Sequence, residues 1–118
     1  IEEYTADFNN RLINIALGYD GKREIVDAAV QIARDYKEGK LELEKLDEES
    51  FSNYLYNSFP EPDLIIRTSG EQRLSGFLTY MSAYSELYFC NKYWPEFSKQ
   101  DLDNAIEDYM KRERRFGK

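Results

Sequence analysis

Two guanidiniums, a carboxylate and three hydroxyls crowd into residues 67–75: Arg67, Thr68, Ser69, Glu71, Arg73 and Ser75, with Gly70 at the bend. Arginine forks with hydroxyl donors suit phosphate oxygens, because each guanidinium offers several N–H donors in a fixed plane. Gly70 lets backbone amides approach a ligand closely. Glu71 cannot favour a bare phosphate. It makes sense if it orients an arginine, or if it helps to hold a cation that neutralises the phosphate. The same residues also fit an Arg-Glu-Arg surface network capping a sheet, since such networks are common and individually weak.

These residues need a scaffold. Leu64, Ile65 and Ile66 read as a buried strand, 63–67, ending where the cluster begins. RLINIALGY, residues 11–19, is apolar on consecutive positions, as in a strand covered on both faces. A helix follows, with Ile25, Ala28, Ala29, Ile32, Ala33 and Tyr36 on one face and Gly39 at its end. GYDGKREI sets Gly18 and Gly21 at that helix's start, where a phosphate could bind. It matches neither a Walker A nor a dinucleotide fingerprint, and reads better as a tight turn. After a charged connection, Asp47 caps a second helix whose inner face is Phe51, Tyr54, Leu55 and Ser58. Residues 75–83 suggest a short helix and SELYFC, 85–90, a third strand. Tyr80, Tyr84 and Tyr88 read as packing residues, Trp94 and Pro95 as a packed loop anchor, and Cys90 as a small core residue. Ser98 with Asp101 forms a capping box for a last helix, striped by Leu102, Ala105, Ile106, Tyr109 and Met110. Strands alternating with helices imply an α/β fold with a mostly parallel sheet flanked by helices. Ligands of such sheets sit beyond the carboxyl ends of the strands, where Arg67–Ser75 lies.

Composition removes several classes. The 118 residues carry 16 Lys and Arg against 23 Asp and Glu, net −7. No basic footprint serves non-specific nucleic-acid binding. Without histidine there is no His-based zinc site, Ser-His-Asp triad or Cys-His dyad. Any metal would take oxygen ligands, which points to Mg²⁺ or Ca²⁺. One cysteine excludes an internal disulfide. No apolar run reaches the ~20 residues that span a bilayer, and a cytoplasmic setting is expected.

DLIIRTSGEQRLSGF, followed by SAYSELYF, WPEF and RERRFG, resembles the C-terminal half of the cis-prenyltransferases, the undecaprenyl diphosphate synthase family. INIALGYDGKREIVDA is similar to the strand-turn-helix that precedes these motifs. RTSGE and LSGF look more like archaeal or eukaryotic members than typical bacterial ones. The resemblance implies condensation of isopentenyl diphosphate with an allylic diphosphate to form a cis-polyprenyl diphosphate, a lipid-carrier precursor. It implies that Arg67, Arg73 and Ser75, with Leu74, hold the diphosphate of isopentenyl diphosphate, and that Glu71 is the supporting acid. Glu86 matches a carboxylate that reaches Mg²⁺ across a homodimer interface. Arg115 and Gly117 match the Arg-x-Gly motif that crosses to the partner's site. Membrane contact would come through the lipid product. Gln72 stands where histidine often occurs, and glutamine can donate a hydrogen bond but cannot act as a base near neutral pH.

The family's Asp-Gly-Asn-Gly-Arg-Trp type signature is absent from this chain. With the start at Ile1 and a short sheet, residues 1–118 are expected to be a C-terminal fragment of one catalytic domain, inactive alone for want of the allylic site. The alternative is a non-catalytic subunit or interaction module of the same fold.

Overall fold

The computed structural model describes residues 11–56 and 59–112. Helix α1, Gly21–Lys37, starts at Asp20, whose carboxylate accepts from the Lys22 and Arg23 amides. It ends before Gly39, which takes the left-handed conformation at φ 71°. Its buried line is Gly21, Glu24, Ala28 and Ile32. The expected face is therefore rotated, and Ala29, Ala33 and Tyr36 are exposed. Helix α2, Glu48–Ser52, is one short turn closed by the capping box of Asp47 and Ser50. Leu55 behind it joins Ala28 and Met81 in the main core, with Phe51, Tyr54, Phe59, Leu78 and Tyr80 packed around. Burying Leu55 and Met81 contributes roughly 1.5–3 kcal/mol each. Ser58, expected on this face, lies outside the described residues.

Strands β1, Leu64–Arg67, and β2, Glu86–Phe89, pair in parallel, with Leu64 opposite Glu86 and Arg67 opposite Phe89. The parallel α/β expectation holds, with two strands among the described residues rather than three. Residues 11–16 form no strand. Leu12, Ile13, Ile15 and Leu17 are exposed, Leu17 by 87%. A doubly covered strand needs ladder partners and two packed faces, and among the described residues β1 and β2 pair only with each other.

Helix α3, Lys99–Lys111, carries the expected Ser98–Asp101 capping box. It packs on β2. Only Ala105 of its stripe is fully buried, while Leu102, Ile106 and Met110 are exposed. One short strand is too narrow to cover the whole stripe. Trp94 is not a packed anchor either: exposed, it stacks on Phe97 at 5.9 Å within a 3₁₀ turn, Trp94–Glu96. Tyr80 packs on Phe51 at 4.8 Å, Tyr84 is exposed and Cys90 is half-buried.

The crossover from β1 to β2 is a run of turns rather than the expected helix at 75–83. Ser75, Gly76 and Leu78 have φ of 51°, 82° and 48°, which no right-handed helix tolerates. The cluster singled out from the sequence lies on this crossover.

Candidate active site

Arg67 closes β1, and its carbonyl accepts from the Cys90 amide at 2.8 Å. The chain then turns through left-handed Ser69 and Gly70, φ 70° and 71°. Ser69 N–H donates to Lys92 O at 2.7 Å and Gly70 N–H to Cys90 O at 2.9 Å. The first part of the loop is thus stapled to the exit of β2. A left-handed L-residue costs ~1–2 kcal/mol. Ser69, Ser75 and Leu78 all adopt this conformation, and such strain gathers where the surroundings fix a backbone for function.

An arginine–carboxylate pair lies inside the loop: Arg73 Nη2 meets Glu71 Oε2 at 2.5 Å. Arg73 remains 67% exposed, so the pair aims the guanidinium outward rather than sealing it off. Glu71 is thus paired with an arginine of the same loop. Leu74 is half-buried and accepts the Phe77 amide through its carbonyl at 2.9 Å. Ser75 is exposed. The far end of the loop is tied to α1, where Gly21 N–H donates to Gly76 O at 3.0 Å.

Glu71, Arg73, Leu74 and Ser75 thus share the loop that follows Arg67, the last residue of β1. Glu86 does not join them. It opens β2, opposite Leu64, at the other end of the sheet from Arg67. Three residues of strand separate these ends, about 10 Å at roughly 3.3 Å per residue. Its Oε2 accepts from Arg112 Nη1 at 2.8 Å. Among the described residues, no group of three or more His, Cys, Asp or Glu is placed to hold a metal. Arg115 and Gly117 lie outside the described residues.

Two residues carry more than the sequence suggested. Arg112, at the end of α3, also donates to Leu87 O at 3.0 Å and, through Nε, to Asp108 Oδ2 at 2.9 Å. It ties the end of α3 to the start of β2. Glu24, 3% exposed, accepts from the Tyr19 hydroxyl and, at 3.1 Å, from the Tyr56 amide. Burial and the Glu24 carboxylate push the Tyr19 phenol well above its ordinary value. The signal was present: Glu24 is in helical register with Ala28 and Ile32, a carboxylate on an apolar stripe. The first amides of α1 are already used, by Gly76 O and by Asp20 Oδ1. This supports the tight-turn reading of GYDGKREI over a phosphate loop.

Known proteins match this chain in sequence and in fold. The prenyltransferase family model of undecaprenyl diphosphate synthases covers residues 1–117. A tritrans,polycis-undecaprenyl-diphosphate synthase (geranylgeranyl-diphosphate specific) of the archaeon Thermoplasma acidophilum is 56% identical over 119 residues, 100% of this chain and 46% of that protein. An isoprenyl transferase of Thermotoga maritima is also 56% identical, over 99% of this chain and 50% of its own length. A crystal structure of lavandulyl diphosphate synthase from Lavandula x intermedia, in complex with dimethylallyl diphosphate, superposes with a TM-score of 0.81 at 40% identity. It covers 87% of this chain and 45% of the other. The chain therefore spans about half the length of the relatives it matches. With a parallel α/β fold, a family match over nearly its whole length and structural neighbours of the same kind, the chain belongs to the undecaprenyl diphosphate synthase family of prenyltransferases.

Proposed function

We propose that this chain is the C-terminal half of a cis-prenyltransferase and carries its isopentenyl diphosphate site. Arg67, Arg73 and Ser75 bind the diphosphate, Leu74 lies beside them, and Glu71 aims Arg73. One observation carries the reading: the Arg67–Ser75 loop is held in strained left-handed turns at a strand's carboxyl end, stapled on both sides, with an exposed guanidinium pointed outward by a carboxylate. The reaction condenses isopentenyl diphosphate with an allylic diphosphate. Its demand is charge neutralisation and positioning while the allylic C–O bond ionises. The chain alone, lacking the allylic site, is inactive.

An oxygen-only donor set suits Mg²⁺, which is often held by one or two carboxylates plus substrate phosphates. Glu86 is the candidate ligand. When bound, the ion would supply charge neutralisation to the diphosphates. Within one chain Glu86 lies at the wrong end of the sheet from the arginine loop, so this role requires the Glu86 of a second copy. The metal assignment and the homodimer, with Arg115 and Gly117 reaching the partner's site, therefore stand together. A cytoplasmic setting with membrane contact through the lipid product completes the reading. Among the described residues no helix is long and apolar enough to cross a membrane.

Elongation kinetics of the full-length enzyme test this. Arg67→Ala and Arg73→Ala should each raise KM for isopentenyl diphosphate and lower turnover. Unchanged kinetics in both would reduce the loop to a surface network and favour the non-catalytic module.

A further inference from the structure

We propose that Gly21, at the first position of α1, is a positioning residue for the diphosphate loop, holding Gly76 and thereby the adjoining Ser75. This rests on the reading of that loop as the isopentenyl diphosphate site. Gly21 is buried and donates its amide to Gly76 O at 3.0 Å. A methyl group there would lie 2.3 Å from Gly76 O, 2.4 Å from Thr79 Oγ1 and 2.9 Å from the Thr79 amide nitrogen. The same carbonyl accepts the Thr79 hydroxyl at 3.0 Å. A second, independent tie runs beside it. The Tyr19 ring meets Phe77 edge-on at 6.0 Å, and the Tyr19 phenol faces the Leu78 amide.

Backbone conformation does not explain a glycine here. Among the described residues the left-handed glycines are Gly18, Gly39, Gly70 and Gly76; Gly21 is not among them and opens a regular helix. At such a position alanine is the better helix former. What excludes a side chain is the loop. Gly76 and Thr79 lie so close that one methyl group would have to push residues 76–79 away by about an ångström to reach ordinary contact. Ser75 is bonded to Gly76 and sits at φ 51°, so it follows. Displacement of that size at a binding group can cost on the order of a hundredfold.

The full-length enzyme is compared as wild type, Gly21→Ala, Arg73→Ala and Ala29→Gly. The last weakens α1 on its exposed side without touching the loop. Gly21→Ala should raise KM for isopentenyl diphosphate at least tenfold and leave KM for the allylic diphosphate within twofold. Ala29→Gly should lower Tm and move neither. If Arg73→Ala raises KM for isopentenyl diphosphate while Gly21→Ala does not, the diphosphate reading stands and the positioning role is overturned. If neither raises it, both are overturned. Should Gly21→Ala fail to fold, amide hydrogen exchange on the wild type decides. Isopentenyl diphosphate should slow exchange of the Gly21 amide, and an unchanged rate overturns the role.

Discussion

Replacing Arg112 with methionine keeps most of the aliphatic stem and removes a guanidinium that contacts three acceptors. Those acceptors are Glu86 Oε2 at 2.8 Å, Leu87 O at 3.0 Å and Asp108 Oδ2 at 2.9 Å. The Asp108 contact is an i, i+4 helix pair, worth about 0.3–0.5 kcal/mol. The half-buried Glu86 pair contributes about 1 kcal/mol once solvent screening is allowed for, because Arg112 is 33% exposed. Leaving the Leu87 carbonyl without its donor costs about 1 kcal/mol more. Arg112→Met should therefore destabilise by about 2–3 kcal/mol. In an enzyme of the relatives' length that is a fall in Tm of roughly 5–10 °C. Differential scanning calorimetry on the wild type, Arg112→Met, Glu86→Gln and the double variant measures both the loss and the coupling. The singles should fail to add by about 1 kcal/mol. A loss below about 0.5 kcal/mol, or strict additivity, would refute the view that this cluster locks α3 to β2.

Two titrations follow from the remaining ion and hydrogen-bond clusters. Lys92, with Ser98, holds the Asp101 carboxyl well below the usual carboxylate range. A depressed folded value means that this stabilisation is present above about pH 4 and is lost as the pH falls further. Asp101→Asn should therefore lower Tm near neutrality and flatten its decline between about pH 4 and pH 2, while an unchanged acid limb would contradict the pairing. Tyr19 is the opposite case. Its raised phenol value means that the neutral form's stabilisation is present below about pH 10 and is lost above it. Tyr54 and Tyr56 are also raised, beside Asp35 and Asp27, so absorbance titration at alkaline pH should show a late-ionising component that Tyr19→Phe diminishes.

Local chemistry was the most legible part of the sequence. The caps at Asp47 and Ser98 could be read because a side-chain oxygen followed three residues later by its partner completes a helix end without outside help. β1 and the cluster after it were legible because a short β-branched run ends abruptly in arginine and glycine. What failed depended on neighbours. Residues 11–19 have strand composition but no ladder partner among the described residues. Residues 75–83 have helical composition but a backbone bent at Ser75, Gly76 and Leu78 by ties to α1. The α1 face was misjudged by one step because apolar counting passes over Glu24, a buried carboxylate satisfied by Tyr19 and Tyr56. Arg112 did not stand out in the sequence for a similar reason: its partners Glu86 and Leu87 lie on another element, at a separation that helical spacing does not encode.

The central claim is that the Arg67–Ser75 loop grips the diphosphate of isopentenyl diphosphate. Equilibrium binding, measured by calorimetry on the full-length enzyme without allylic substrate, tests it most directly. A charged contact of this kind is worth about 2–3 kcal/mol. Arg67→Ala and Arg73→Ala should each weaken isopentenyl diphosphate binding by roughly thirty- to a hundred-and-sixtyfold, at 1.36 kcal/mol per tenfold, while leaving Tm within a few degrees. Wild-type affinity in both variants would contradict the assignment and leave the two arginines as surface charges.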